Sequence, residues 1–120
     1  MNIKIRVWDM DRKAMLSGQW GIFYCGDYYE DCRDFEDGIA LNNIAVMQYT
    51  RVKDKNGVCI YEGDIVRYFK NELAVIVYQN GGVDIRSLSW RECEPLQRRL
   101  GEIEVIGNIY ENKDLLVTDR

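Results

Sequence analysis

Residues 47–68, MQYTRVKDKNGVCIYEGDIVRY, constrain this chain more than any other stretch, because two β-favouring apolar segments meet at a charged Asn-Gly turn and a second glycine corner follows. Asn56 and Gly57 tolerate the positive φ of a tight hairpin, so residues 58–61 are expected to return antiparallel to 47–50. In Glu62-Gly63-Asp64, Gly63 permits the next corner and Asp64 is placed to bond the backbone of the residues that follow. Such a stretch specifies architecture and supplies no reactive constellation.

The same pattern runs along the rest of the chain. Ile3, Ile5 and Val7 alternate with Lys4, Arg6 and Trp8, the period of two of a half-buried strand. Residues 9–13 are polar turn material, and 14–16 and 20–25 read as further strands, so a β meander is expected over 1–46. Residues 26–38 change character: Asp27, Glu30, Asp31, Asp34, Glu36 and Asp37 face a single base, Arg33, with no aliphatic side chain, which predicts an exposed acidic loop. Strands are expected at 65–69 and 73–78, linked by Lys70-Asn71-Glu72. Gln79-Asn80-Gly81-Gly82 is the sharpest hairpin signal, and the strand after it loses its apolar phase near Ser87. Residues 91–100, around Pro95, read as a loop or short helical turn, 103–109 as a strand interrupted by Gly107, and 114–117 as a terminal strand or tail. Short strands with regular turn punctuation predict a mainly β protein, a small barrel or sandwich.

Composition narrows function by exclusion. The chain of 120 residues contains no histidine, which removes imidazole acid-base catalysis, Ser-His and Cys-His nucleophiles and every His-containing metal site. A domain of this length buries roughly 65% of the surface of its unfolded chain and folds without a disulfide or metal staple. Cys25, Cys32, Cys59 and Cys93 match no C-x-x-C or zinc spacing and are expected to be buried or half-buried thiols in a reducing cytosol. No apolar run approaches the ~20 residues of a spanning helix, and residues 1–10 lack a signal-peptide pattern, so a cytoplasmic location is expected. Net charge is −4, with 5 basic and 8 acidic side chains in 1–46 and 11 and 12 in 47–120, a balance that disfavours a general nucleic-acid binder.

Three blocks resemble the YopX family, small proteins encoded mostly by bacteriophages and prophages of Gram-positive bacteria. Ile5-Arg6-Val7-Trp8-Asp9 is similar to the family's opening strand, and Val105-Ile106-Gly107-Asn108-Ile109-Tyr110-Glu111-Asn112 to its closing segment. Met47-Gln48-Tyr49-Thr50, Lys53-Asp54-Lys55-Asn56-Gly57 and Ile60-Tyr61-Glu62-Gly63-Asp64-Ile65-Val66 are similar to its central signature. The acidic 27–37 stretch is not part of that pattern, and Arg51-Val52 stands where a Gly-Leu pair is usual. The resemblance implies one YopX-like unit over 1–120, with a β-rich N-terminal half over 1–46 and an SH3-like barrel over 47–120. It also implies expression in a bacterial host, and it carries over no catalytic residues.

Several clusters invite a sharper reading. The acidic loop offers hard oxygen ligands, yet the ordered spacing of a calcium loop is missing and a solvated charge run is favoured. Glu62 and Asp64 lie two apart without a base, metal or oxyanion donor, so they are read as corner residues. Arg51, Lys53, Lys55 and Arg67, with Tyr49, Tyr61 and Tyr68 to stack bases, form the candidate binding set. The structural turns are assigned to Asn56, Gly57, Gly63, Asp64, Gly81, Gly82 and Gly107. Trp8, Trp20 and Trp90, together with eight tyrosines and three phenylalanines, exceed what one small barrel encloses. A non-enzymatic phage or prophage accessory protein is therefore expected, without cofactor or metal, acting as a homo-oligomer or on a host or phage protein, with nucleic-acid association as the alternative.

Overall fold

The computed structural model describes residues 5–16, 22–24, 27–29, 43–79, 81–89 and 92–116, and among these the chain is mainly β, broken by turns and short 3-10 segments. The chain divides into two compact units, Met1–Gln48 and Tyr49–Arg120.

In the first unit β1 (Ile5–Asp9) pairs antiparallel with β2 (Ala14–Met15), Trp8 opposite Met15. On its other side β1 pairs with the first half of β5 (Ile44–Lys53), Ile5 opposite Gln48. The β1–β2 turn is organised by the buried Asp9, whose Oδ1 accepts the N–H of Asp11 at 2.9 Å and of Arg12 at 3.1 Å. Val7 and Trp8 are both buried, so the end of β1 is closed on two faces where alternation alone predicts one. β3 (Ile22–Tyr24) and β4 (Asp27–Tyr29) pair with each other as a separate two-stranded sheet and not with β2. Asp27–Tyr29 is thus a strand and not the start of a loop: two consecutive tyrosines favour the extended backbone more than one carboxylate opposes it. The acidic remainder, 30–38, lies outside the described residues, as do Cys25, Cys32, Trp20 and Trp90.

In the second unit the last part of β5 pairs with β6 (Cys59–Tyr61), Tyr49 opposite Tyr61 and Lys53 opposite Cys59. Between those pairs β5 bulges, and Arg51 there adopts a left-handed φ of 73°. A five-stranded antiparallel sheet follows in the order β10 (Cys93–Pro95), β9 (Gly82–Ser87), β8 (Glu72–Gln79), β7 (Asp64–Tyr68), β11 (Glu104–Asn108). One face of it carries the core: Val66, Tyr68, Ala74, Ile76 and Ile85 pack with Ile60, Leu96 and Ile103. Alternation along β7 and β8 places these residues on a single face, because positions two apart share a side of the pleat.

The glycine corners are where expected: Gly57, Gly63 and Gly81 have φ of 83°, 86° and 78°. Gly82 is the first residue of β9, opposite Gln79, and Gly107 sits at the β11 bulge opposite Ile65. Other local expectations are corrected. Asn56 does not take a positive φ, because its N–H is drawn at 2.8 Å to Asp54 Oδ1. Asp64 is fully buried and its Oδ2 accepts the N–H of the preceding Tyr61 at 2.7 Å, closing the corner backwards. The short helical turn expected within 91–100 is present as the 3-10 segment Leu96–Arg99, but residues 93–95 before it are an edge strand; Pro95 is tolerated as the last residue of that edge, where a missing N–H costs little. Residues Lys113–Leu116 form a 3-10 turn instead of a strand, started by Leu115 N–H donating to Asn112 O. Cys59 is half-buried but Cys93 is exposed, since β10 is an edge.

Candidate functional site

The hairpin between β5 and β6 is held by one carboxylate. Asp54 is 6% exposed. Its Oδ1 accepts the N–H groups of Asn56 and Val58, and its Oδ2 accepts the N–H of Val105 at 2.9 Å from β11. Partial burial works to raise the pKa of Asp54, but the donors from Val105, Val58 and Asn56, with the charge of Lys55, overcome it and hold the carboxyl below its usual value. Lys55 N–H also donates to Ile103 O, so the hairpin tip is tied to the chain entering β11. This brings the Lys55 backbone beside Glu104, and Glu104 receives the guanidinium of Arg67 from β7. That contact is the main cause holding the Glu104 carboxyl below its ordinary pKa.

The candidate residues fall into two groups. Tyr49 and Tyr61 face each other across the β5–β6 ladder with ring centres 5.5 Å apart and planes tilted by 45°, and Tyr78 Oη donates to Tyr49 O at 3.1 Å. Burial pushes the Tyr78 hydroxyl pKa up, with Glu62 adding to it and Arg51 opposing. Lys55, Arg67 and Tyr68 line a separate concavity of about 370 Å³. Arg51 and Lys53 are exposed on β5 and line neither that concavity nor the core.

Residues outside the expected set complete the concavity. Phe69, which periodicity assigned to the end of a strand, stands at the β7–β8 turn and is 50% exposed. Lys70 Nζ lies 5.2 Å from its ring centre, and the Arg99 guanidinium lies 5.4 Å from Phe69 and 5.7 Å from Tyr68. Arg99 is steadied by Glu94 at 2.9 Å and Glu102 at 3.4 Å. Burial raises the pKa of the Tyr68 hydroxyl. A sequence signal for Phe69 existed in the polar Lys70-Asn71 pair that follows it, since a turn there places the preceding aromatic at a strand end.

On the opposite side of the sheet, Val75, Val77, Leu88, Ile109 and Leu116 line a second groove of about 360 Å³ together with Arg86 and Ser87. Among the described residues no group of three or more His, Cys, Asp or Glu side chains is placed to hold a metal ion, and no helix is long and apolar enough to cross a membrane.

A family profile described as YopX protein matches residues 4–117. Two solved structures share the fold. Protein EF1440 from Enterococcus faecalis is 27% identical with a TM-score of 0.63, the alignment covering 98% of this chain and 99% of that one. Protein yopX from Bacillus subtilis is 21% identical with a TM-score of 0.61, each chain covered over 100% of its length. No curated protein matches.

Proposed function

The chain belongs to the YopX family, and from that premise we propose that it is a non-enzymatic phage or prophage accessory protein that acts in the host cytoplasm by binding protein, a second copy of itself first. The observation that supports this reading is the second apolar face of the five-stranded sheet. An antiparallel sheet with one face on a core ordinarily turns polar residues outward. Here five apolar side chains, Val75, Val77, Leu88, Ile109 and Leu116, line a groove together with Ser87 and the cation of Arg86. A molecule of net charge −4 offers carboxylates of its own to that arginine, which makes a two-fold contact between copies the natural first occupant. The absence of histidine from the chain supports the non-enzymatic part.

The same reading takes residues 47–120 as an SH3-like barrel, with residues 1–46 as the β-rich N-terminal half. Light scattering at tens of micromolar is expected to return a mass above the monomer, and Val77→Lys to return the monomer while leaving the circular dichroism spectrum unchanged. A monomer for the parent protein, together with no partner captured from host lysate, would overturn it.

A further inference from the structure

The β7–β8 turn is built against the preferences of its residues. Lys70 has φ 54° and ψ 38°, and Asn71 has φ 64°, with Glu72 N–H donating to Phe69 O. Three residues, Phe69–Asn71, join Tyr68 to its partner Glu72, and two successive positive φ values ordinarily call for Asn-Gly or a similar pair, so a lysine at the first of them is held in a conformation that L side chains avoid. Strain of this kind concentrates at functional sites, and here it sets Lys70 beside the half-exposed ring of Phe69.

The surroundings specify what such a ring would meet. Arg67 is paired with Glu104, and Arg99 with Glu94 and Glu102. Among the described residues neither Lys55 nor Lys70 makes a salt bridge, and both line the same concavity of about 370 Å³ as Phe69. Two ammonium groups, a half-exposed aromatic ring approached by Lys70 and Arg99, and the carboxylates of Glu102 and Glu104 are thus gathered at one concavity, where an incoming base would displace the Lys70 ammonium from the ring toward its own phosphate.

We propose that this concavity binds a nucleotide unit, its base stacked on Phe69 and its phosphate held by Lys55 and Lys70. Glu102 and Glu104 are placed to accept hydrogen bonds from a base amino group or a sugar hydroxyl. The aromatic face gives stacking without sequence preference, which suits a single strand. Lys55, Arg67, Lys70 and Arg99 stand against Glu94, Glu102 and Glu104, a local net charge of +1 on a molecule of −4, so binding is local, weak and salt-sensitive. The proposal goes beyond the protein-binding reading and does not depend on it.

The test is fluorescence anisotropy of a labelled single-stranded oligonucleotide at low salt, beside calorimetry with a free mononucleotide. Binding is expected to fall with added salt and to weaken by roughly 5- to 160-fold in Phe69→Ala, the span of one lost base–aromatic stack. Lys70→Gly is expected to weaken binding while melting no lower than the parent, because it removes both the charge and the strained side chain. Affinity that rises with oligonucleotide length assigns the site to a strand, and equal affinity for the mononucleotide assigns it to free nucleotide. No binding of either probe, or binding indifferent to Phe69→Ala, would overturn the proposal. So would a Phe69→Ala variant that leaves both probes unbound and changes only the oligomeric mass, since that places the turn in a protein contact.

Discussion

Asp54 and Arg51 show how single side chains set the geometry of the central hairpin. The Asp54 carboxylate takes three backbone N–H donors, two local and one from Val105. An amide in its place turns an NH₂ toward at least one of those donors, so Asp54→Asn is expected to cost about 2 kcal/mol, the worth of a charge-assisted bond lost with its donor left unpaired. Urea unfolding at pH 7 measures it, and a loss below about 0.5 kcal/mol would mean the N–H groups find other partners. Arg51 lies at a φ of 73° in the β5 bulge, at the position where the YopX resemblance leads one to expect glycine. Relief of roughly 1–2 kcal/mol of left-handed strain outweighs the roughly 0.5–1 kcal/mol of extra backbone entropy that glycine loses on folding. Arg51→Gly is therefore expected to raise the melting temperature by a few degrees, and a lowered one would show that the side chain contributes more than its backbone costs.

At the scale of elements, the sheet ends in a clasp that explains why a glycine stands at position 107. The register of β11 shifts between Val105 and Gly107, and the turn beyond folds back so that Asn112 Oδ1 accepts the N–H of Asn108 at 3.0 Å. Asn108 Oδ1 in turn accepts the N–H groups of Tyr110 and Glu111. A Cβ at Gly107 would meet the Asn112 carboxamide, its Cγ at 2.6 Å. The glycine is required by close approach and not by its φ, which distinguishes it from Gly57, Gly63 and Gly81. Gly107→Ala is expected to cost about 2 kcal/mol through overpacking, and Asn112→Ala in the same chain to recover part of that loss. Strict additivity of the two in a double-mutant cycle would refute the contact. Turns of this kind were legible as glycine positions, but the reason at Gly107 was not, since the sequence does not state which atom will stand opposite.

For the whole molecule, the carboxylates held below their ordinary pKa set the shape of stability against pH. Asp54 and Glu104 are both depressed, so the stability they contribute is present above their unfolded values and is lost as pH falls through their folded ones. Thermal melts are expected to stay level from neutrality down to about pH 5 and to drop below about pH 4, with the gap between the parent and Asp54→Asn closing there as Asp54 protonates. A gap that widened in acid would reverse the assignment. Alternation and glycine corners determined, from the sequence alone, that the chain is mainly β and where most strands begin, because φ, ψ and the two-residue period are set within a few neighbouring residues. Only the tertiary structure decided that Lys55, Arg67 and Tyr68 share a concavity with Phe69, that Tyr49 and Tyr61 stand apart from it, and that Val105 completes the coordination of Asp54. Those convergences follow from pairing and register between segments tens of residues apart, which no local pattern encodes.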